Sequence, residues 1–125
     1  MKGYLTLIGD DFDHSYVTET LGQSPQTLRR KEEVLKNGRL FGHCEWGVET
    51  EKVISEDFES LASELMNLLS CSRYIMKEVA QKCNAQWNIL FYLKVIDEFP
   101  PIIFTNDFIQ FSADIGAIIG FDGYC

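Results

Sequence analysis

Asp10, Asp11, Asp13 and His14 crowd into five consecutive positions and are the densest group of metal-capable side chains in the chain. They follow the apolar run Gly3–Gly9, so the carboxylates sit where a strand would end. Carboxylates there can hold Mg²⁺ for phosphoryl chemistry. The companions of that chemistry are missing: no later Asp-x-Asp pair, and no Lys or Ser in a glycine-rich loop. The same residues suit a turn closed by Asp10 and Asp11 and a helix capped by Asp13. No metal and no cofactor is expected here.

The second arrangement to weigh is His43 beside Cys44. Neighbours on a strand point to opposite faces, so His43 is badly placed to activate the Cys44 thiol. The four cysteines, Cys44, Cys71, Cys83 and Cys125, lie far apart without a C-x-x-C pair, which argues against zinc. Cys44, Cys71 and Cys83 read as small core residues in a reducing, cytoplasmic setting. No catalytic residues are expected.

The third pattern is a row of carboxylates. On a strand through 43–51, Glu45, Glu49 and Glu51 share the face opposite Cys44, Trp46 and Val48. Glu56, Asp57 and Glu59 follow at the start of a helix. Such a row is either a solvated surface that keeps an acidic protein in solution or a docking surface for a cationic partner.

These residues must be positioned by a modest amount of chain. A length of 125 residues suits one domain, residues 1–125, with an ordinary core. Apolar residues at 46% and charged residues at 24% exclude wholesale disorder. The net charge of −8 argues against direct binding to nucleic acid or to an anionic membrane. The first residues carry no secretory pattern, and no apolar stretch is long enough to span a bilayer.

Periodicity predicts a strand over 3–9 and a short helix from Asp13 to Gly22, with Val17, Thr20 and Leu21 inward. Residues 23–38 are polar and end in the turn signal Asn37-Gly38. A strand is expected between Leu40 and Val53. A helix over 56–70 follows, capped by Ser55 with Phe58, Leu61, Ala62, Leu65, Leu68 and Leu69 as its stripe. A second helix spans Ser72 to Cys83 and stops at Asn84. Trp87–Ile96 is the most apolar strand and should be interior to the sheet. Ile102–Phe104 reads as a short strand, Asn106 as the cap of a helix through Ile115, and Ala117–Phe121 as the last strand. Trp46, Phe58, Leu61, Leu65, Phe91, Leu93 and Phe111 are the expected core. The whole is an α+β fold, a mostly antiparallel mixed sheet with helices packed on one face.

Gly9-Asp10-Asp11-Phe12-Asp13, then Thr18, Leu21-Gly22, Pro25 and Trp46, and finally Phe111, Ile115-Gly116-Ala117 and Asp122-Gly123-Tyr124 stand in a specific order. In that order and spacing the chain resembles the bacterial family catalogued as domain of unknown function 4279, over nearly its whole length. It lacks the glycine that the family places after the Pro25 segment. The resemblance implies a small cytoplasmic α+β protein without established catalytic residues. Small acidic bacterial proteins of this kind include immunity proteins of contact-dependent toxin systems. The expected function is therefore to bind and neutralise a cognate cationic toxin domain, a nuclease, through Glu45, Glu49, Glu51, Glu56, Asp57 and Glu59. The competing expectation is a homo-oligomeric or ligand-binding domain that self-associates as a homodimer through an apolar sheet face or edge. The third is a metal enzyme built on Asp10, Asp11 and Asp13.

Overall fold

A computed structural model describes residues 1–31, 34, 38, 42–51, 57–94 and 101–124. Along the chain these form β1 (Lys2–Gly9), α1 (His14–Leu21), β2 (Thr27–Arg29), β3 (Cys44–Glu49) and α2 (Phe58–Met66). They continue with α3 (Arg73–Cys83), β4 (Ala85–Lys94), α4 (Asn106–Ile115) and β5 (Ile118–Tyr124). The strands join in one sheet in the order β2-β3-β1-β4-β5. Every pairing is antiparallel except β4 with β5. A parallel pair needs a crossover, and the stretch that contains α4 supplies it. The fold is α+β with a mostly antiparallel mixed sheet, as the periodicity predicts.

Local chemistry sets most of the element ends. The Asp13 carboxylate accepts from Ser15 N at 2.9 Å and starts α1. The Ser72 hydroxyl accepts from Ile75 N at 3.2 Å and starts α3. Gly22 and Gly116 end α1 and α4 in the left-handed conformation, at φ 72° and 66°. Asn84 ends α3 at φ 50°, the conformation that asparagine tolerates better than most side chains.

Several expectations need correction. Helix α2 begins at Phe58 with Asp57 as its cap and ends at Met66, short of residue 70; Ser55 and Glu56 lie outside the described residues. Thr105, not Asn106, caps α4, its hydroxyl accepting from Phe108 N at 3.2 Å. Residues Ile102–Phe104 form no strand, because the parallel neighbour of β4 is β5. Strand β4 starts two residues early, where Ala85 and Gln86 pair with Gly9 and Ile8; residues 95 and 96 lie outside the described set. In α1, Thr20 is exposed and the inward positions are His14, Val17 and Leu21. Cys44 and Cys83 are buried but Cys71 is only half-buried.

The core lies between one face of the sheet and the helices. Leu5 and Leu7 of β1, Trp46 and Val48 of β3, and Trp87, Ile89, Phe91 and Leu93 of β4 all point into it. Phe58 of α2 meets the Phe91 ring edge-on at 4.7 Å. The Trp87 indole donates to the Met76 carbonyl of α3 at 2.8 Å. Helix α2 comes so close to β1 that a Cβ on Gly3 would lie 2.9 Å from the Leu65 methyl. Trp46, Phe58, Leu61, Leu65, Phe91, Leu93 and Phe111 are all buried.

Candidate functional site: a polar cleft and an open sheet face

At the end of β1 a polar cleft of about 520 Å³ is lined by Asp11, Phe12, Asp13, His14, Ser15, Arg30, Lys31 and Cys44. Its ionisable groups are engaged with the protein itself. Asp10 pairs with Lys31 at 3.3 Å, and Asp11 accepts from the Cys44 thiol at 3.7 Å. The Asp13 carboxylate is the α1 cap. The buried His14 ring sets Nε2 against the carbonyls of Arg29 (2.9 Å) and Glu45 (3.1 Å). Two carbonyl acceptors require a proton on that nitrogen, so His14 donates and ties α1 to β2 and β3. Among the described residues no group of three or more His, Cys, Asp or Glu is arranged to hold a metal ion.

The opposite face of the sheet is different. No described helix packs on it, and strand alternation turns a mixed set of side chains toward solvent there. The pairing registers arrange them in rows across the strands. One row runs Arg29, Glu45, Ile8, Gln86, and the next Thr27, Gly47, Thr6, Asn88, Ile118. Then come Glu49, Tyr4, Leu90, Gly120, and finally Lys2, Tyr92, Asp122. Leu90 and Tyr92 are 39% and 36% exposed, so β4 is interior to the sheet yet covered on one side only. At Gly120 no side chain fills the place between Leu90 and Ile118. A shallow trough of about 410 Å³ results, lined by Tyr4, Thr6, Ile8, Thr27, Glu45, Asn88, Leu90, Ile118 and Gly120.

The expected docking carboxylates divide between the two sides of the sheet. Glu45 and Glu49 sit on the open face, each half-buried. Glu49 pairs with Lys2 at 2.7 Å, and this hydrogen bond holds the Lys2 ammonium above the usual lysine range. Glu45 lies 3.4 Å from the His43 ring nitrogen. Glu51, exposed, follows Thr50 just past the end of β3. Asp57 and Glu59 open α2 in the helix layer. The Ser60 hydroxyl donates to Asp57 at 2.7 Å and keeps its carboxyl below the usual range. Glu56 lies outside the described residues.

A family model described as "Domain of unknown function (DUF4279)" matches residues 1–125. The chain belongs to this family. No curated protein and no solved structure matches it. In this DUF4279 chain the residues that carry the resemblance hold the fold. Gly9 faces Ala85 with no room for a side chain, since a Cβ would lie 2.9 Å from that of Ala85. Gly22 and Gly116 are left-handed helix ends. Trp46 fills the core, and its indole donates to the Thr18 hydroxyl at 3.0 Å. Among the described residues no helix is long and apolar enough to cross a membrane.

The trough residues were not singled out from sequence. Alternation places Tyr4, Thr6 and Ile8 off the core face of β1, but only the parallel β4–β5 pairing brings Ile118 and Gly120 beside Leu90.

Proposed function

We propose that this DUF4279 chain is a non-catalytic immunity protein of the cytoplasm that binds and neutralises a cognate cationic toxin domain, a nuclease. One observation supports the reading: the open sheet face carries the carboxylates Glu45 and Glu49 on β3 and, across β1, the exposed apolar side chains Leu90, Tyr92 and Ile118. An interface needs that combination, because apolar contact supplies affinity and carboxylates select the partner. Both carboxylates stand on a strand whose other face is core, so docking orders little that was free. A nuclease cleft must attract a polyanion and is therefore positive. In this reading Glu45, Glu49 and Glu51 form the docking half of the patch. Asp57 and Glu59, in the helix layer, and Glu56, next to them in the sequence, add to the field that steers encounter.

The test is a calorimetric titration against the product of the adjacent upstream gene, at low and high salt. Binding should weaken with salt, and Glu49→Lys should slow association most at low salt. Truncating a carboxylate buried in the interface should cost about 2–5 kcal/mol. Unchanged binding after Glu45→Lys, Glu49→Lys and Glu51→Lys together would overturn the patch. The absence of a basic toxin domain beside the gene would count against the immunity role itself.

A second reading, pairing of two copies along β5, has its own observation. The last strand of the sheet order carries Ile118 at 58% and Phe121 at 39% exposure. A mass that rises with concentration in sedimentation, with no toxin bound, would favour it.

A further inference from the structure

We infer that the polar cleft at the end of β1 is a binding site for a small organic cation that carries N–H donors, a protonated amine or guanidine. The inference is independent of the docking surface proposed above, because among the described residues none of that surface lines the cleft. It starts from His14, which is 7% exposed. A neutral imidazole has one N–H, and the two carbonyls at Nε2 fix that hydrogen there. Nδ1 is left as a bare acceptor, and it makes no hydrogen bond among the described residues. No buried side-chain nitrogen or oxygen among them lacks a partner, so Nδ1 must reach solvent. The opening that His14 lines is the cleft of about 520 Å³.

The capacity left over in the cleft decides the chemistry of its ligand. Asp11 accepts from the Cys44 thiol through Oδ1, and Asp13 accepts from Ser15 N through Oδ1. Each carboxylate therefore keeps Oδ2 for a further donor. The cations on the wall are committed: Lys31 donates to both oxygens of Asp10 at 3.3 Å, and Arg30 has a partner of its own. Asp11 and Asp13, by contrast, have no ion-pair partner among the described residues. An anion entering here would meet two unpaired carboxylates. A cation with N–H groups satisfies a carboxylate and the bare Nδ1 together. The Phe12 ring lies 5.0 Å from the His14 ring between centroids and gives the cleft an aromatic wall, which also favours a cation. A metal ion would need more, since among the described residues no three His, Cys, Asp or Glu are arranged to hold one.

The test uses the full chain labelled with ¹⁵N-histidine, at about pH 8, where an ordinary imidazole is neutral. Methylammonium and methylguanidinium chloride are the probes. Tetramethylammonium chloride, which has the charge without the N–H, is the control. In the free protein Nε2 of His14 should carry the proton and Nδ1 none; His43→Gln tells the two histidines apart. At least one N–H cation should move the Nδ1 resonance saturably with Nε2 still protonated, and the tighter of the two names the head group. Tetramethylammonium and sodium acetate at the same ionic strength should not move it. Asp11→Asn keeps an oxygen for the Cys44 thiol, and Asp13→Asn keeps a good cap on α1. Each should weaken binding about tenfold. Asp57→Asn, at the cap of α2, should leave binding unchanged. A proton on Nδ1 with Nε2 bare, an equal response to tetramethylammonium, a response to acetate instead, full binding by both asparagine variants of the cleft, or no saturable shift would overturn the inference.

Discussion

Trp46 and Trp87 meet edge to face with ring centroids 6.3 Å apart, one on each side of Leu7 in the sheet. Each indole also has a hydrogen-bond acceptor, Thr18 for Trp46 and the Met76 carbonyl for Trp87. The pair thus fixes three strands and reaches two helices, with both polar tips satisfied. Thr18→Val keeps the shape of the site and leaves the Trp46 N–H without its acceptor. It should cost about 1–3 kcal/mol in urea unfolding. Trp46→Ala, which opens a cavity as well, should cost about 3–5 kcal/mol.

The buried Thr50 makes two bonds to Gly3. Its hydroxyl accepts from the Gly3 N–H and its own N–H donates to the Gly3 carbonyl, both at 2.9 Å. Thr50→Val preserves the second bond and orphans the Gly3 N–H beneath Leu65. A loss of about 1–3 kcal/mol is expected, and Thr50→Ser should recover much of it. Equal stability of the valine and wild-type proteins would refute this account.

The carboxylates around the first turn separate by role. Asp13→Ala should cost about 0.5–2 kcal/mol as a lost cap. Asp10→Asn removes an exposed pair with Lys31 and should change stability by less than about 1 kcal/mol. Thermal unfolding with and without Mg²⁺ checks the same site. A stabilisation that disappears in the Asp11→Asn variant would revive the metal reading.

Two exposed carboxyls shape the acid limb. Asp57 is held low chiefly by the Ser60 hydroxyl, and Asp114 by Gln110 and then by Arg73. A carboxyl depressed by folding adds stability at pH values above its unfolded pKa. That contribution is lost as the pH falls from the ordinary value of 3.8 through the folded one. Asp57→Asn and Asp114→Asn should therefore flatten the loss of stability below about pH 4 and leave its shape near pH 7 unchanged.

Much of the fold was legible because its signals are local. Asp13, Gly22, Ser72, Asn84 and Gly116 stand where the caps and stops fall, since each acts on groups within a few residues. Alternation in β3 and β4 correctly separates Trp46, Phe91 and Leu93 from Glu45 and Glu49. The α2 start was misplaced because Ser55 and Asp57 are both good caps. Burial of Phe58 against Phe91, a contact across 33 positions of sequence, decides for Asp57. Ile102–Phe104 has the composition of a strand, but composition cannot say that β5 takes the place beside β4. The candidate site was half legible for the same reason. A strand periodicity shows that Glu45 and Glu49 leave the core, whereas the separation of Asp57 and Glu59 from them depends on which face α2 covers.

The position of β1 has a consequence for the order of events during synthesis. The first strand made is the middle strand of the sheet, paired to β3 on one side and β4 on the other. A growing chain cannot complete either flank of Leu5 and Leu7 until residue 48 has emerged, nor the second until residue 89. Until then the most apolar part of the N-terminal segment has no native partner, and these long-range pairings make folding slow relative to helix formation. The helices can form as they appear, but the sheet closes late and from the centre outward. A ribosome-stalled chain ending at about residue 84 should bind chaperone, and one extended past β5 should release it.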